Sequence, residues 1–209
     1  MKIILDLCGG TGSWSKPYKE AGYDVRVITL PEYDVLTYEP PDNVYGILAA
    51  PPCTMFSIAR NDKTAKLPRD LKQGMEIVNA CLNVIHKCLY QTYIKKRTIK
   101  FWALENPATG YLRHFLGKPA LTFQPFEYGD PYTKSTSLWG MFNEPKKKIV
   151  KPIDILVDGR KEFTHRVEHY SNLKEIPKGY LEKTGISRKT VMRSMTPTGF
   201  AEAFYRANK

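Results

Sequence analysis

The 209-residue sequence predicts an α/β fold with a mainly parallel sheet and helices on both faces, and three observations carry that prediction. Short apolar runs of strand length each stop at a polar loop bearing glycine or proline. Segments with helical spacing lie between them, one of them long. Strand, helix, strand, loop, helix and strand then follow in turn as far as Pro107, the rhythm of a parallel sheet covered by helices.

Each element has its own local reason. "KIILDL" is apolar and β-rich and reads as the first strand, and "CGGTGSWS" as the glycine-rich turn after it. "SKPYKEAGY" reads as a short helix with Pro17 in its first turn and Gly22 at its end. "DVRVITL" is a second strand, and "YGILAA" a third that stops at Pro51. A polar loop from Ile58 to Pro68 leads into "DLKQGMEIVNACLNVIHKCLYQTYIKK", where Leu71, Met75, Val78, Leu82, Ile85 and Leu89 recur at helical spacing. Cys81 and Cys88 fall on this helix and read as packing residues. "IKFWALEN" is a further strand ending in a polar pair before Pro107. Beyond about residue 120 short β-like pieces, prolines and basic clusters replace the alternation, until "TPTGFAEAFYRAN" reads as a closing helix with Phe200, Ala203 and Phe204 on one face.

Length and composition fit one domain with its own core. No apolar run is long enough to span a bilayer, Asp6 interrupts the apolar start, and no small-residue cleavage site follows, so no membrane contact and a cytoplasmic location are expected. The four cysteines, Cys8, Cys53, Cys81 and Cys88, form no CxxC pair, and the four histidines are dispersed, so neither a disulfide framework nor a metal site is expected. The net charge of +11 favours a polyanionic partner, nucleic acid first.

In a sheet of this kind ligands gather at the carboxyl ends of the strands. The glycine-rich turn, Cys53 and the Glu105-Asn106 pair all sit there. Asp6, Gly9, Gly10 and Gly12 let the backbone pass close to a ligand, though "GGTG" is not the dinucleotide fingerprint and equally serves a tight strand-to-helix connection. In "LAAPPCTMFS" two prolines restrict the backbone and hold Cys53 stiffly at a strand tip, where a thiol suits nucleophilic attack; the plainer alternative is a buried cysteine in a proline-rich bend. Glu105 ends an otherwise apolar strand, where partial burial would suit it to proton donation, or else to capping a loop.

Taken in order, "LDLCGGTGSWS", "PPCTMFS" and "LENP" resemble the cofactor, nucleophile and acidic motifs of the cytosine carbon-5 DNA methyltransferases, and "YGDPYTKST" resembles their later substrate-binding motif. The resemblance covers about the first two thirds of the chain. It implies a Rossmann-like, S-adenosylmethionine-dependent methyltransferase that methylates carbon 5 of cytosine in DNA through a covalent Cys53 adduct. Cys53, Glu105 and Lys134 would be catalytic. Asp6, Cys8, Gly10, Thr11, Gly12, Trp14, Asp34 and Pro51 would hold S-adenosylmethionine, with Glu32 the alternative to Asp34 at the ribose. Ser57, Asn106, Lys146, Lys147, Lys148 and Arg160 would meet nucleic acid. No metal is implied.

Three departures from the family pattern bear on this. Tyr132, Lys134 and Thr136 stand where the family carries a glutamine and two arginines, leaving Lys134 as the cation for the base carbonyl. The second strand ends "VITLPEYDV", without a plain ribose acid. Only Met141 to Arg193 remain for target recognition, a reduced basic segment between a catalytic core at 1–140 and a C-terminal helix at 194–209 that packs back on it. Its lysines suit phosphate contact, which adds affinity but little sequence information. The expectation is a monomer acting on duplex or single-stranded DNA, with room for an accessory specificity protein. Its economy suits a phage or restriction-modification enzyme in a bacterial or phage-infected cell. The alternatives are methylation of RNA or a free cytosine nucleotide, and a catalytically silent nucleic-acid-binding module of the same fold.

Overall fold

The computed structural model describes residues 1–58, 60, 63, 65, 67–95, 99–148, 156–157, 160–161 and 176–209, with residues 92, 95, 156, 157, 160 and 161 described by backbone only. Strands β1 (Ile3–Leu7), β2 (Asp24–Ile28), β3 (Val44–Ala49), β4 (Phe101–Pro107), β5 (Leu121–Phe123) and β6 (Thr136–Met141) form one sheet in the order β2-β1-β3-β4-β6-β5. The first four are mutually parallel. β6 runs antiparallel to both β4 and β5. The mixed α/β class with a mostly parallel sheet is therefore as expected, and the antiparallel half is what the short β-like pieces beyond residue 120 become.

β1 is buried along its whole length, as a parallel strand covered on both faces must be. Ile3, Leu5 and Leu7 point to one face, with Ile47, Ala49 and Leu104. The helix α2 (Leu71–Lys95) covers that face with Val78, Cys81, Val84, Ile85 and Cys88, so Cys81 and Cys88 are packing residues as read. Leu82 and Leu89 lie half-buried on the shoulder of the stripe. The other face carries Ile4, Leu48, Phe101 and Ala103 under α1 (Lys16–Glu20) and the C-terminal helix, α6 below.

The chain beyond β6 supplies a two-stranded antiparallel pair, β7 (Leu156–Val157) and β8 (Arg160–Lys161), and three helices, α4 (Tyr180–Thr184), α5 (Arg188–Ser194) and α6 (Thr198–Ala207). A four-residue helix, α3 (Arg113–Leu116), follows β4. α6 docks through Phe200, Ala201 and Phe204, with Ala203 partly buried. Phe200 stacks on Phe123 at 3.8 Å between centroids, and Phe204 meets Trp14 edge-on at 5.5 Å. Gly199 is required there, because a Cβ would stand 2.3 Å from the Tyr128 carbonyl oxygen. Its N–H donates to Asp130 Oδ2 at 2.9 Å, so a carboxylate from "YGDPYT" caps α6. Among the described residues no helix is long and apolar enough to cross a membrane.

Candidate active site

β1 is flanked by β2 on one side and β3 on the other, the chain passing from β2 across β1 to β3, and a cleft opens at the carboxyl ends of these strands. Three strand ends and one distant segment line it: Asp6 to Trp14 after β1, Ala50 to Cys53 after β3, Glu105 and Pro107 of β4, and Arg193 to Thr196. Lys134 completes the wall. A larger hollow of about 700 Å³ lies elsewhere, between residues 35–39 and α2. The Lys87 and Glu39 ion pair at 2.6 Å bounds it, and none of the strand-end groups reaches it, so the smaller cleft is the candidate site.

The β1 turn is tight and polar inside. Gly9 has no room for a side chain, since a Cβ would lie 2.4 Å from the Asp6 carboxyl carbon. Gly10 and Gly12 adopt φ of 55° and 70°, where glycine is the least strained residue, and Cys8 joins them at 55°. Asp6 is fully buried and accepts a 2.5 Å bond from the Ser15 hydroxyl on Oδ2. Burial raises its pKa to about 6, against the pull of the Ser15 bond. Its Oδ1 and the indole N–H of buried Trp14 are two polar atoms without hydrogen-bond partners among the described residues. Such atoms are uncommon in a folded interior and mark a place where something polar belongs. Cys8 Sγ lies 3.9 Å from Cys81 Sγ of α2, and this contact, with burial, pushes the Cys81 thiol well up.

The Cys53 loop is held from several sides. Phe56 and Ser57 N–H groups both donate to the Cys53 carbonyl, at 2.9 and 2.8 Å. The Phe56 ring is buried against Gly74 of α2, where a Cβ would come within 2.9 Å of it. Arg69 donates to the Met55 carbonyl at 2.7 Å, and Tyr111 N–H to the Phe56 carbonyl at 2.9 Å. Asn106, expected at nucleic acid, is instead fully buried, and its amide donates to the Pro51 carbonyl at 3.0 Å. It bolts the end of β3 to the end of β4, which fixes Cys53 relative to Glu105.

Cys53 itself is exposed. Its thiol pKa is nonetheless raised, first by the desolvation its neighbours impose and then by the Glu105 charge, while Lys134 pulls the other way. Lys134 Nζ stands 3.8 Å from Glu105 Oε1, both half-buried. The Gln124 side chain positions Lys134 by accepting its N–H at 3.0 Å. Cys53, Glu105 and Lys134 thus form one electrostatically linked group, in which a thiol, a carboxyl and a cation face the same space.

The remaining expected residues divide. Asp6, Cys8, Gly10, Thr11, Trp14 and Pro51 line the cleft, and Gly12 shapes the turn behind it. Asp34 does not reach it, being exposed and accepting the Leu36 N–H at 3.0 Å in its own turn. Glu32 pairs with Lys183 of α4. Ser57 sits in the Cys53 loop, half-buried. Lys146, Lys147 and Lys148 are exposed and away from the cleft, with Lys147 paired to Glu127 at 2.7 Å. The Arg160 side chain and residues 149–155, 158–159 and 162–175 of the segment 141–193 lie outside the described residues. No metal-binding group of His, Cys, Asp and Glu occurs among the described residues.

Arg193, Ser194, Met195 and Thr196 are cleft residues that the sequence reading passed over. Thr196 N–H donates to Ser13 Oγ at 2.9 Å, tying this distant segment to the β1 turn. Their place follows from the docking of α6, a long-range event with no local signature.

No protein-family model and no curated protein matches the chain. Among solved structures it is similar to a DNMT2 mutant of Spodoptera frugiperda, at 16% identity and a TM-score of 0.38, over 78% of this chain and 54% of that one. It is also similar to the methyltransferase EhMeth of Entamoeba histolytica, at 10% identity and a TM-score of 0.37, over 78% and 57%. The chain spans a little over half the length of these structures.

Proposed function

We propose that this chain is an S-adenosylmethionine-dependent methyltransferase that methylates cytosine at carbon 5 in DNA through a covalent Cys53 adduct. The observation that carries the reading is the convergence of Cys53, Glu105 and Lys134 with the polar β1 turn in one cleft. The motif order "LDLCGGTGSWS", "PPCTMFS", "LENP" supports the same reading.

The β1 turn fits the amino-acid end of the cofactor. Asp6 offers an unpartnered buried carboxylate oxygen to an ammonium, and Trp14 an unpartnered N–H to a carboxylate. When bound, S-adenosylmethionine supplies the electrophilic methyl that carbon 5 accepts. The cleft encloses about 100 Å³, less than the ~300 Å³ at the lower end of small-molecule sites. The 193–196 segment, joined to the turn through Thr196 and Ser13, closes this end of the cleft.

Cys53 gives its proton to solvent and, as the thiolate, bonds to carbon 6 of the ring, and the displaced electron pair makes carbon 5 nucleophilic. Glu105 would face ring nitrogen 3 and the exocyclic amine, and Lys134 the carbonyl oxygen, so the charge that develops on the ring meets a preorganised acid and cation. Once carbon 5 carries the methyl group, solvent takes its proton, and the electron pair left behind restores the double bond and expels the Cys53 thiolate. In duplex DNA the target base must leave the stack to reach this thiol.

The test is incubation with methyl-labelled S-adenosylmethionine and separate pools of duplex DNA, single-stranded DNA and RNA, followed by digestion to nucleosides. Label in 5-methyldeoxycytidine is the expected result. Label only in RNA or in a free nucleotide would replace the substrate, and no label anywhere with cofactor bound would refute transfer.

A further inference from the structure

Beside the Cys53 loop the surface turns aromatic and basic. Tyr111 and Phe115 are 41% and 49% exposed. They lie on a short anchored segment: Leu112 is fully buried, and Trp139 Nε1 donates to the Gly117 carbonyl at 3.0 Å just beyond α3. Phe115 meets Phe56 edge-on at 6.3 Å, and Tyr111 carries the Arg69 guanidinium 5.0 Å over its ring with His114 beside it at 6.4 Å. Arg113 and Lys118 are exposed next to these rings. The Tyr111 N–H bond to the Phe56 carbonyl fixes the segment to the loop that bears the nucleophile.

We propose that Tyr111 and Phe115 form a stacking platform for unpaired nucleotides of single-stranded DNA beside the target base, with Arg113 and Lys118 on the phosphates. Rings presented to solvent next to cations are the parts that single-strand binders use, because each unpaired base offers an open π-face. A duplex offers none except where it is opened. The net charge of +11 supplies the complementary field. The inference rests on the proposed function for its choice of DNA, and it moves the main nucleic-acid surface from the lysine run at 146–148 to the rim of the Cys53 loop.

Fluorescence anisotropy with labelled dT12, a 12-base-pair duplex and rU12 tests it. We expect dT12 to bind tightest and Tyr111→Ala with Phe115→Ala to weaken it about tenfold or more, with the duplex changing less than about twofold. Arg113→Gln should reduce the salt slope by about one. A double variant with native circular dichroism that binds dT12 as the parent does overturns the platform, as does tighter binding of duplex or rU12 by the parent. Photo-crosslinking of a 5-bromodeoxyuridine strand to the parent protein gives a second readout that needs no variant. Adducts at Tyr111 or Phe115 support the platform, and adducts confined to other residues overturn it. Binding to dT12 does not require Cys53, so Cys53→Ser should bind as the parent does. A lost platform with intact methyl transfer, or the reverse, therefore separates failure of this inference from failure of the proposed function.

Discussion

The two halves of the cleft are built on opposite principles. The half after β1 is buried: among the described residues Asp6 has Ser15 as its one side-chain hydrogen-bond partner, and Trp14 lies under the rings of α6. The half around Cys53 is exposed and crowded with charge, Lys134 and Glu105 standing 3.8 Å apart. The first half presents polar atoms without partners among the described residues; the second presents a thiol whose pKa its neighbours set. Under the proposed function the two halves do different jobs: gripping a molecule of fixed shape, and changing the electronics of a ring.

Substitutions separate the halves. Cys53→Ala should have the largest effect, lowering methyl transfer by on the order of 10³-fold or more while leaving cofactor affinity unchanged in calorimetry. Retained turnover would remove the covalent route. Because desolvation and Glu105 raise the Cys53 pKa, kcat/KM for the parent should keep climbing with pH beyond the ordinary thiol range. Next, Lys134→Ala should cut turnover by about 10²-fold and move that alkaline limb still higher, since the opposing Lys134 charge is gone. If DNA affinity falls by as much as turnover does, Lys134 is a phosphate contact and not part of the thiol's circuit.

On the buried side the expected changes are smaller and of opposite sign in binding and stability. Asp6→Asn should weaken S-adenosylmethionine by about tenfold, the loss of one charge-assisted bond. Asp6 has its pKa raised from 3.8 to about 6 in the fold, so the native state holds the proton more tightly than the unfolded chain. Stability of the free protein should thus fall as pH rises from about 4 through 6, by up to about 3 kcal/mol. The Asn variant should lack that decline in denaturant melts, and a parent with a flat profile would contradict the buried charge. Smallest of all, Lys183→Ala frees Glu32 from an exposed ion pair and should change cofactor affinity by less than about fivefold. A tighter complex would identify Glu32 as the ribose acid.

The elements that make the parallel half were readable because each carries a local period: β1, β3 and β4 are apolar runs, and α2 has a helical stripe. The antiparallel half was not, since β5 has three residues and β6 gains its meaning only by inserting between β4 and β5. The same limit applies within the site. Cys53 and Glu105 announce themselves by type and position at strand ends. Asn106 stands beside Glu105 in sequence and looks equally available, yet its burial depends on the Pro51 carbonyl, more than fifty residues away. Lys147 reads as a free phosphate ligand until Glu127 is seen against it. Asp130 belongs to a motif read for substrate binding, but its carboxylate closes the start of α6.

That last contact has a consequence for how the protein is made. β1, β3 and β4 bring Cys53 and Glu105 together, whereas the Arg193–Thr196 wall sits just ahead of α6, which is seated on Phe123 and Trp14. A chain in which α6 has not docked carries Cys53 and Glu105 but not a closed cleft. Closure therefore depends on a contact of long sequence separation, the slowest kind to form.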